Sequence, residues 1–181
     1  MFQTQNSLPE KVRQDVVETL QLRLADGIDL MLQAKQAHWG VRGIHFFALH
    51  ELFDKIHQEI ENGCDLLAER IAQVGGSPDG SKASITTRSS LPVYSITAIK
   101  DEEHVKILSL SLATFGRLLH QSIAKTTQLE DPVTTDILTD IARSVDKNLW
   151  FVESHLIERV VESKPGMKGA KDFIKTASMA Q

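Results

Sequence analysis

The stretch from Ala34 to Glu69 reads AKQAHWGVRGIHFFALHELFDKIHQEIENGCDLLAE, and it decides how the rest of the chain is read. His50 and Asp54 are four residues apart, as are Asp65 and Glu69, so on a helix each pair shares one face. Asp54 to Asp65 is close to three whole turns, so both pairs point roughly the same way. At 1.5 Å of rise per residue they nevertheless lie about 16 Å apart along the axis. No single metal centre spans that gap. A second copy running antiparallel brings His50 and Asp54 beside Asp65 and Glu69 of its partner, twice over, which is the logic of a two-fold interface. His38, just upstream, adds a further imidazole. The arrangement predicts a metal site built between subunits, with the two-fold dimer as its smallest complete unit.

Working outward, helical periodicity continues on both sides. Val12, Val16, Leu20, Leu24, Ile28 and Met31 recur at helical spacing, so a first helix runs from about Pro9 to Ala37 and ends in the glycine-bearing turn Trp39–Gly43. A second, with Leu49, Phe53, Ile56, Ile60, Cys64, Leu67 and Ile71 inward, runs to Gly75-Gly76. The connection to Ile96 is long and rich in Ser, Gly, Pro and Thr. Its length means that it crosses from one end of a bundle to the other, carries a short helix, or both. A third helix covers about Thr97–Thr127. Asp131-Pro132 then gives an N-cap and a first-turn proline for a fourth, running to about Val161. The expected class is all-α, a ferritin-like four-helix bundle with one long crossover between helices two and three. The expected division is a disordered tail over 1–8, the bundle over 9–162, and a flexible lysine-containing tail over 163–181.

Composition sets the bounds. The chain has 181 residues, 41% of them hydrophobic, which suits one domain with a substantial core. A net charge of −4 argues against a wholly basic nucleic-acid binder. One cysteine, Cys64, excludes an internal disulfide and reads as a structural thiol of a reducing cytoplasm. The first residues hold no apolar leader and no run is long enough to span a bilayer, so the expected location is cytoplasmic, without membrane contact.

Each candidate ligand alone is more often part of a solvated helix face. Together, His50, Asp54, His57, Glu61, Asp65 and Glu69 form a polar stripe beside the apolar one, where a neighbouring helix or subunit would cover it. Buried carboxylates need a counter-charge, and a cation supplies one. Oxygen plus imidazole nitrogen suits iron, zinc or manganese. His57 and Glu61, between the two pairs, are candidates for supporting or transient metal positions. The common in-bundle di-iron centre needs Glu-x-x-His pairs, and this chain has none. The nearest is Asp101-x-x-His104, expected at the surface. His45, His120 and His155 have no partner at ligand spacing and are expected to be structural or surface residues. Trp150 reads as an ordinary apolar-helix aromatic, and Trp39 follows a candidate ligand directly.

The segment Lys35-Gln36-Ala37-His38-Trp39-Gly40-Val41-Arg42-Gly43, with Phe46, His50, Asp54, Asp65, Ala68-Glu69-Arg70 and Gly75-Gly76, resembles the Dps family, the mini-ferritins called DNA-binding proteins from starved cells. Asp146-Lys147-Asn148-Leu149-Trp150-Phe151 is similar to that family's second signature. The resemblance covers about residues 10–160. It implies a hollow homo-dodecamer of four-helix bundles with a short helix in the crossover. It further implies a ferroxidase that oxidises iron(II) between two-fold-related subunits, with hydrogen peroxide preferred over dioxygen, and stores iron(III) mineral. The implied ligands, also the catalytic residues, are His38, His50 and Asp54 of one subunit and Asp65 and Glu69 of the other. Zinc is an expected substitute or inhibitory ion. The family also implies acidic pores near the start of the fourth helix, where Asp131 and Asp136, with Glu130, match in position. The resemblance carries DNA binding less far, because the N-terminal segment has no Lys or Arg before Lys11. Lys164, Lys168, Lys171 and Lys175 near the C-terminus are the candidate DNA contacts, and the expected binding is weak or absent.

Overall fold

A computed structural model of the chain describes residues 1–156. They form five helices: α1 Glu10–Gly40, α2 Phe46–Gln73, α3 Lys82–Arg88, α4 Asp101–Gln128 and α5 Pro132–Glu153. The four long helices make the expected bundle and α3 is the short helix of the crossover. The end of the fourth long helix near Val161 and the lysine tail lie outside the described residues.

Helices α1 and α2 pack as one hairpin, α4 and α5 as the other, with α1 against α4 and α2 against α5. Two ties fix the direction of the second hairpin. Arg42, in the α1–α2 turn, pairs with Lys100, and the Asp101 N–H donates to the Arg42 carbonyl at 2.9 Å. At the other end, Arg70 near the end of α2 reaches Asp131 in the α4–α5 turn. Helices α2 and α4 therefore start at the same end, and the crossover must travel the length of the bundle.

The core runs through all four long helices: Leu20, Leu24 and Leu30; Phe53, Ile56, Ile60, Leu67 and Ile71; Leu108, Leu112, Phe115 and Leu119; Leu138, Ile141 and Val145. Burial of each such side chain contributes about 1.5–3 kcal/mol before the entropy of ordering is charged against it. One expected stripe departs from this. Ile28 and Met31 are only half-buried, and Leu30, Ala34 and Ala37 take the core positions on the second half of α1. Ile28 and Met31 instead line a groove with Cys64, Asp65 and Ala68. Burial pushes the Cys64 thiol up to about 12, with the Glu61 and Asp65 charges adding to the shift, so it is inert as a nucleophile.

The first residues, expected to fray, are not helical, but the Phe2 N–H donates to the Gly75 carbonyl. Helix α4 starts at Asp101 rather than Thr97, with the Glu103 carboxylate accepting from the Ile99 and Lys100 N–H groups. Among the described residues no helix is long and apolar enough to cross a membrane.

Candidate metal centre between subunits

His38 lies near the end of α1 and His50 in the second turn of α2, brought face to face by the short turn between them. The rings stack with centroids 3.7 Å apart. Each Nδ1 sits on the other residue's backbone carbonyl, His38 on His50 O at 2.8 Å and His50 on His38 O at 3.0 Å. A carbonyl only accepts, so both Nδ1 atoms carry the hydrogen, and in the neutral ring it is Nε2 that keeps the lone pair. This is the tautomer that metal-binding histidines take, with the second nitrogen fixed by an outer hydrogen bond. Phe46 tilts against the His50 ring at 5.1 Å and limits its rotation.

Asp54, one turn beyond His50, is half-buried and accepts from the Lys35 ammonium. That hydrogen bond holds the carboxyl below its ordinary value against a smaller opposing effect of burial, and the charges of Lys35, His38 and His57 add to it. Asp54 is thus a carboxylate already balanced by a cation. Lys35 went unassigned in the sequence, although its place three residues before His38 puts both on one face of α1. His57 repeats the pattern of the stacked pair, its Nδ1 on the Met31 carbonyl at 3.0 Å.

Asp65 and Glu69, with Glu61, are exposed farther along α2. Among the described residues, no three His, Cys, Asp or Glu side chains of one chain converge to hold a metal ion. His38, His50 and Asp54 thus come together at one place, while Asp65 and Glu69 lie farther along α2, with Asp65 lining the groove of Ile28 and Met31. The donor set, imidazole nitrogen and carboxylate oxygen without thiolate, suits iron or zinc.

Several expectations are corrected. Asp131 is not available to line a channel. It is 1% exposed, caps α5 through the Thr134 N–H, and takes both a two-oxygen contact from Arg70 and the Thr134 hydroxyl. Asp136 and Glu130 are exposed. His104 is buried rather than at the surface. The missing side chain of Gly40 makes room for its ring, since a Cβ there would stand 2.7 Å from Cε1, and the Tyr94 hydroxyl bonds its Nδ1. His45 is partnered too, by Asp101. Trp39 and Trp150, which read as core or interface aromatics, are both largely exposed in the single chain, which leaves the interface reading.

Residues 17–160 match the family described as Ferritin-like domain. The chain is 35% identical over 156 residues to the DNA protection during starvation protein of Agrobacterium fabrum, covering 86% of this chain and 96% of that one. It is 34% identical over 175 residues to the protein of the same name from Mycolicibacterium smegmatis, covering 94% and 95%. The solved structure of Mycobacterium smegmatis Dps in its tetragonal form superposes with a TM-score of 0.83 at 32% identity, covering 88% of this chain and 96% of that one. The bundle and its crossover are thus those of a ferritin-like protein. Within that class, the chain belongs to the Dps family.

Proposed function

We propose that this protein oxidises iron(II) at centres shared between two-fold-related subunits of a homo-dodecameric cage and stores the iron(III) as mineral within, protecting a bacterial-type cytoplasm from oxidative damage. The observation that carries this reading is the stacked His38–His50 pair with both Nε2 lone pairs free beside Asp54. That is half a ligand set, and the matching carboxylates lie three turns along the same helix.

Iron(II) is the substrate. His38 and His50 supply neutral nitrogen donors. Asp54, and Asp65 with Glu69 from the partner, supply negative charge that offsets the gain in positive charge on oxidation. Two iron(II) ions each give one electron to hydrogen peroxide; the O–O bond breaks, two protons are taken up, and two waters form. Confining both electrons to one bound peroxide avoids the one-electron reaction that releases hydroxyl radical into solution. Lys35 stands where it can neutralise Asp54 before metal arrives and is displaced or shared when it does. No residue acts as a nucleophile. Asp136 and Glu130 remain candidates for an acidic entry path, and His57 with Glu61 for a transient metal position. Zinc, with the same donor preferences and no redox chemistry, is expected to compete at the centre. The test is direct: iron(II) with a half-equivalent of peroxide, added to the pure protein, is expected to give soluble mineral faster than in buffer, and faster than with dioxygen. A rate equal to buffer would defeat the reading.

A second role is favoured by the names of the relatives, which are DNA protection proteins. With a net charge of −4, the chain offers DNA one basic stretch, Lys164, Lys168, Lys171 and Lys175, repeated on every subunit so that weak contacts add through avidity. Gel-shift titration at low salt is expected to show weak, sequence-independent binding that is lost when the chain is truncated after Ser163. Binding that survives truncation would place it elsewhere.

A further inference from the structure

Residues of metal-ligand type also line a cleft at the end of the bundle where α2 and α4 begin, standing too far apart as they are for three of them to hold an ion. His45 comes from the α1–α2 turn, Asp101 from the first residue of α4, and His155 from just beyond α5. With Glu102 they line a cleft of about 460 Å³. These residues are far apart in sequence and the fold alone unites them.

The cluster is held in place on one side. Asp101 is tied to the turn by its N–H on the Arg42 carbonyl, and its carboxylate rests against Gly43, where a Cβ would stand 2.6 Å from Oδ2. Gly43 takes a φ of 140°, so both its conformation and the closeness of the carboxylate require glycine. Asp101 Oδ2 lies 3.1 Å from His45 Nδ1. A carboxylate accepting from Nδ1–H leaves Nε2 of His45 as the free donor, the carboxylate–histidine arrangement that precedes metal binding. The His155 ring lies edge-on to it, with centroids 6.4 Å apart. Two imidazoles on one tetrahedral ion, each nitrogen about 2.0–2.1 Å from the metal, have centroids roughly 5 Å apart, so the rings need to close by only about 1 Å. Both side chains are exposed enough to rotate. Glu102, now paired with Lys106, supplies a carboxylate within the same cleft.

We propose that His45 and His155, oriented by Asp101 and completed by Glu102 and water, bind a divalent transition-metal ion of the zinc class within a single chain. This site is separate from the shared iron centre and needs no partner. Bound metal would join the α1–α2 turn, the start of α4 and the end of α5, fastening the point from which the C-terminal residues depart.

Equilibrium dialysis of the assembled full chain against zinc(II) tests it. His45→Ala with His155→Ala is expected to bind about one zinc fewer per chain than the natural sequence. Asp101→Asn is expected to weaken that same equivalent by about 10–100-fold. Iron oxidation by peroxide stays unchanged in both variants, so loss of this site and failure of the iron-centre reading are distinguishable. His155→Gln, which leaves the N–H bond of residue 155 to the Val152 carbonyl in place, loses the same equivalent and serves if the double variant does not assemble. Equal zinc stoichiometry and affinity in the natural chain and in His155→Gln would overturn the proposal.

Discussion

His38→Ala combined with Asp65→Ala is expected to bring the peroxide-driven rate of iron(II) oxidation down to that of buffer, a loss of roughly 100-fold or more, since even changing an outer partner of a metal ligand costs 10–100-fold. Each substitution removes a donor from a different half-site, so every centre in the assembly loses one ligand from each subunit. The fold should survive. Asp65 is exposed, and His38 gives up one hydrogen bond to the His50 carbonyl, a net loss of about 1 kcal/mol. Stopped-flow absorbance follows the rate, and size-exclusion chromatography checks assembly. A double variant that assembles and still oxidises iron at the natural rate would remove these residues from the chemistry.

The largest effect on stability is expected at Asp131→Asn. The carboxylate is buried against Arg70, whose Nε also donates to the Thr134 hydroxyl at 2.9 Å, so losing the charge leaves a guanidinium uncompensated in the interior. Breaking such a buried pair costs about 3–5 kcal/mol. Burial alone would raise the Asp131 pKa. The Thr134 hydroxyl and N–H and the Arg70 guanidinium outweigh it and hold the carboxyl below its ordinary 3.8. A depressed carboxyl pKa contributes stability above the unfolded value and loses it as pH falls through the folded one. The gap between natural and Asp131→Asn denaturation midpoints, at fixed chain concentration, should therefore be constant near neutrality and close below pH 3.8. A gap under 1 kcal/mol at pH 7, measured against natural protein, would show that Arg70 finds another partner.

The sequence carried the long helices because they rest on local spacing, and the proposal of a shared site rests on the same spacing. His50 with Asp54 and Asp65 with Glu69 are readable from helical period alone, and the gap between them argues for a partner without any coordinates. What was not legible depends on contacts between distant segments. Asp101 and His104 look like a surface pair, but the Arg42–Lys100 pairing seats Asp101 against Gly43, and Gly40 opens the space that buries His104. Asp131 shows an acidic helix start, which suits both an N-cap and a channel lining; only the arrival of Arg70 from α2 decides between them. Ile28 and Met31 keep the period of the core, and period does not separate a chain's own core from a groove open to a second copy. Lys35 is the one omission that local spacing offered, since it shares a helix face with His38.

If each iron centre takes ligands from two chains, two chains with different defects restore activity when mixed. Asp54→Ala impairs the half-site beside His38 and His50, and Glu69→Ala impairs the other half. Each variant alone carries one damaged half in every centre. Unfolded together and refolded as verified heterodimers, the two chains place both defects in one centre and leave the second centre of the dimer whole. The mixture is expected to recover about half of the natural oxidation rate per dimer, while each variant refolded alone stays inactive. Verified heterodimers as inactive as either parent would contradict a shared centre.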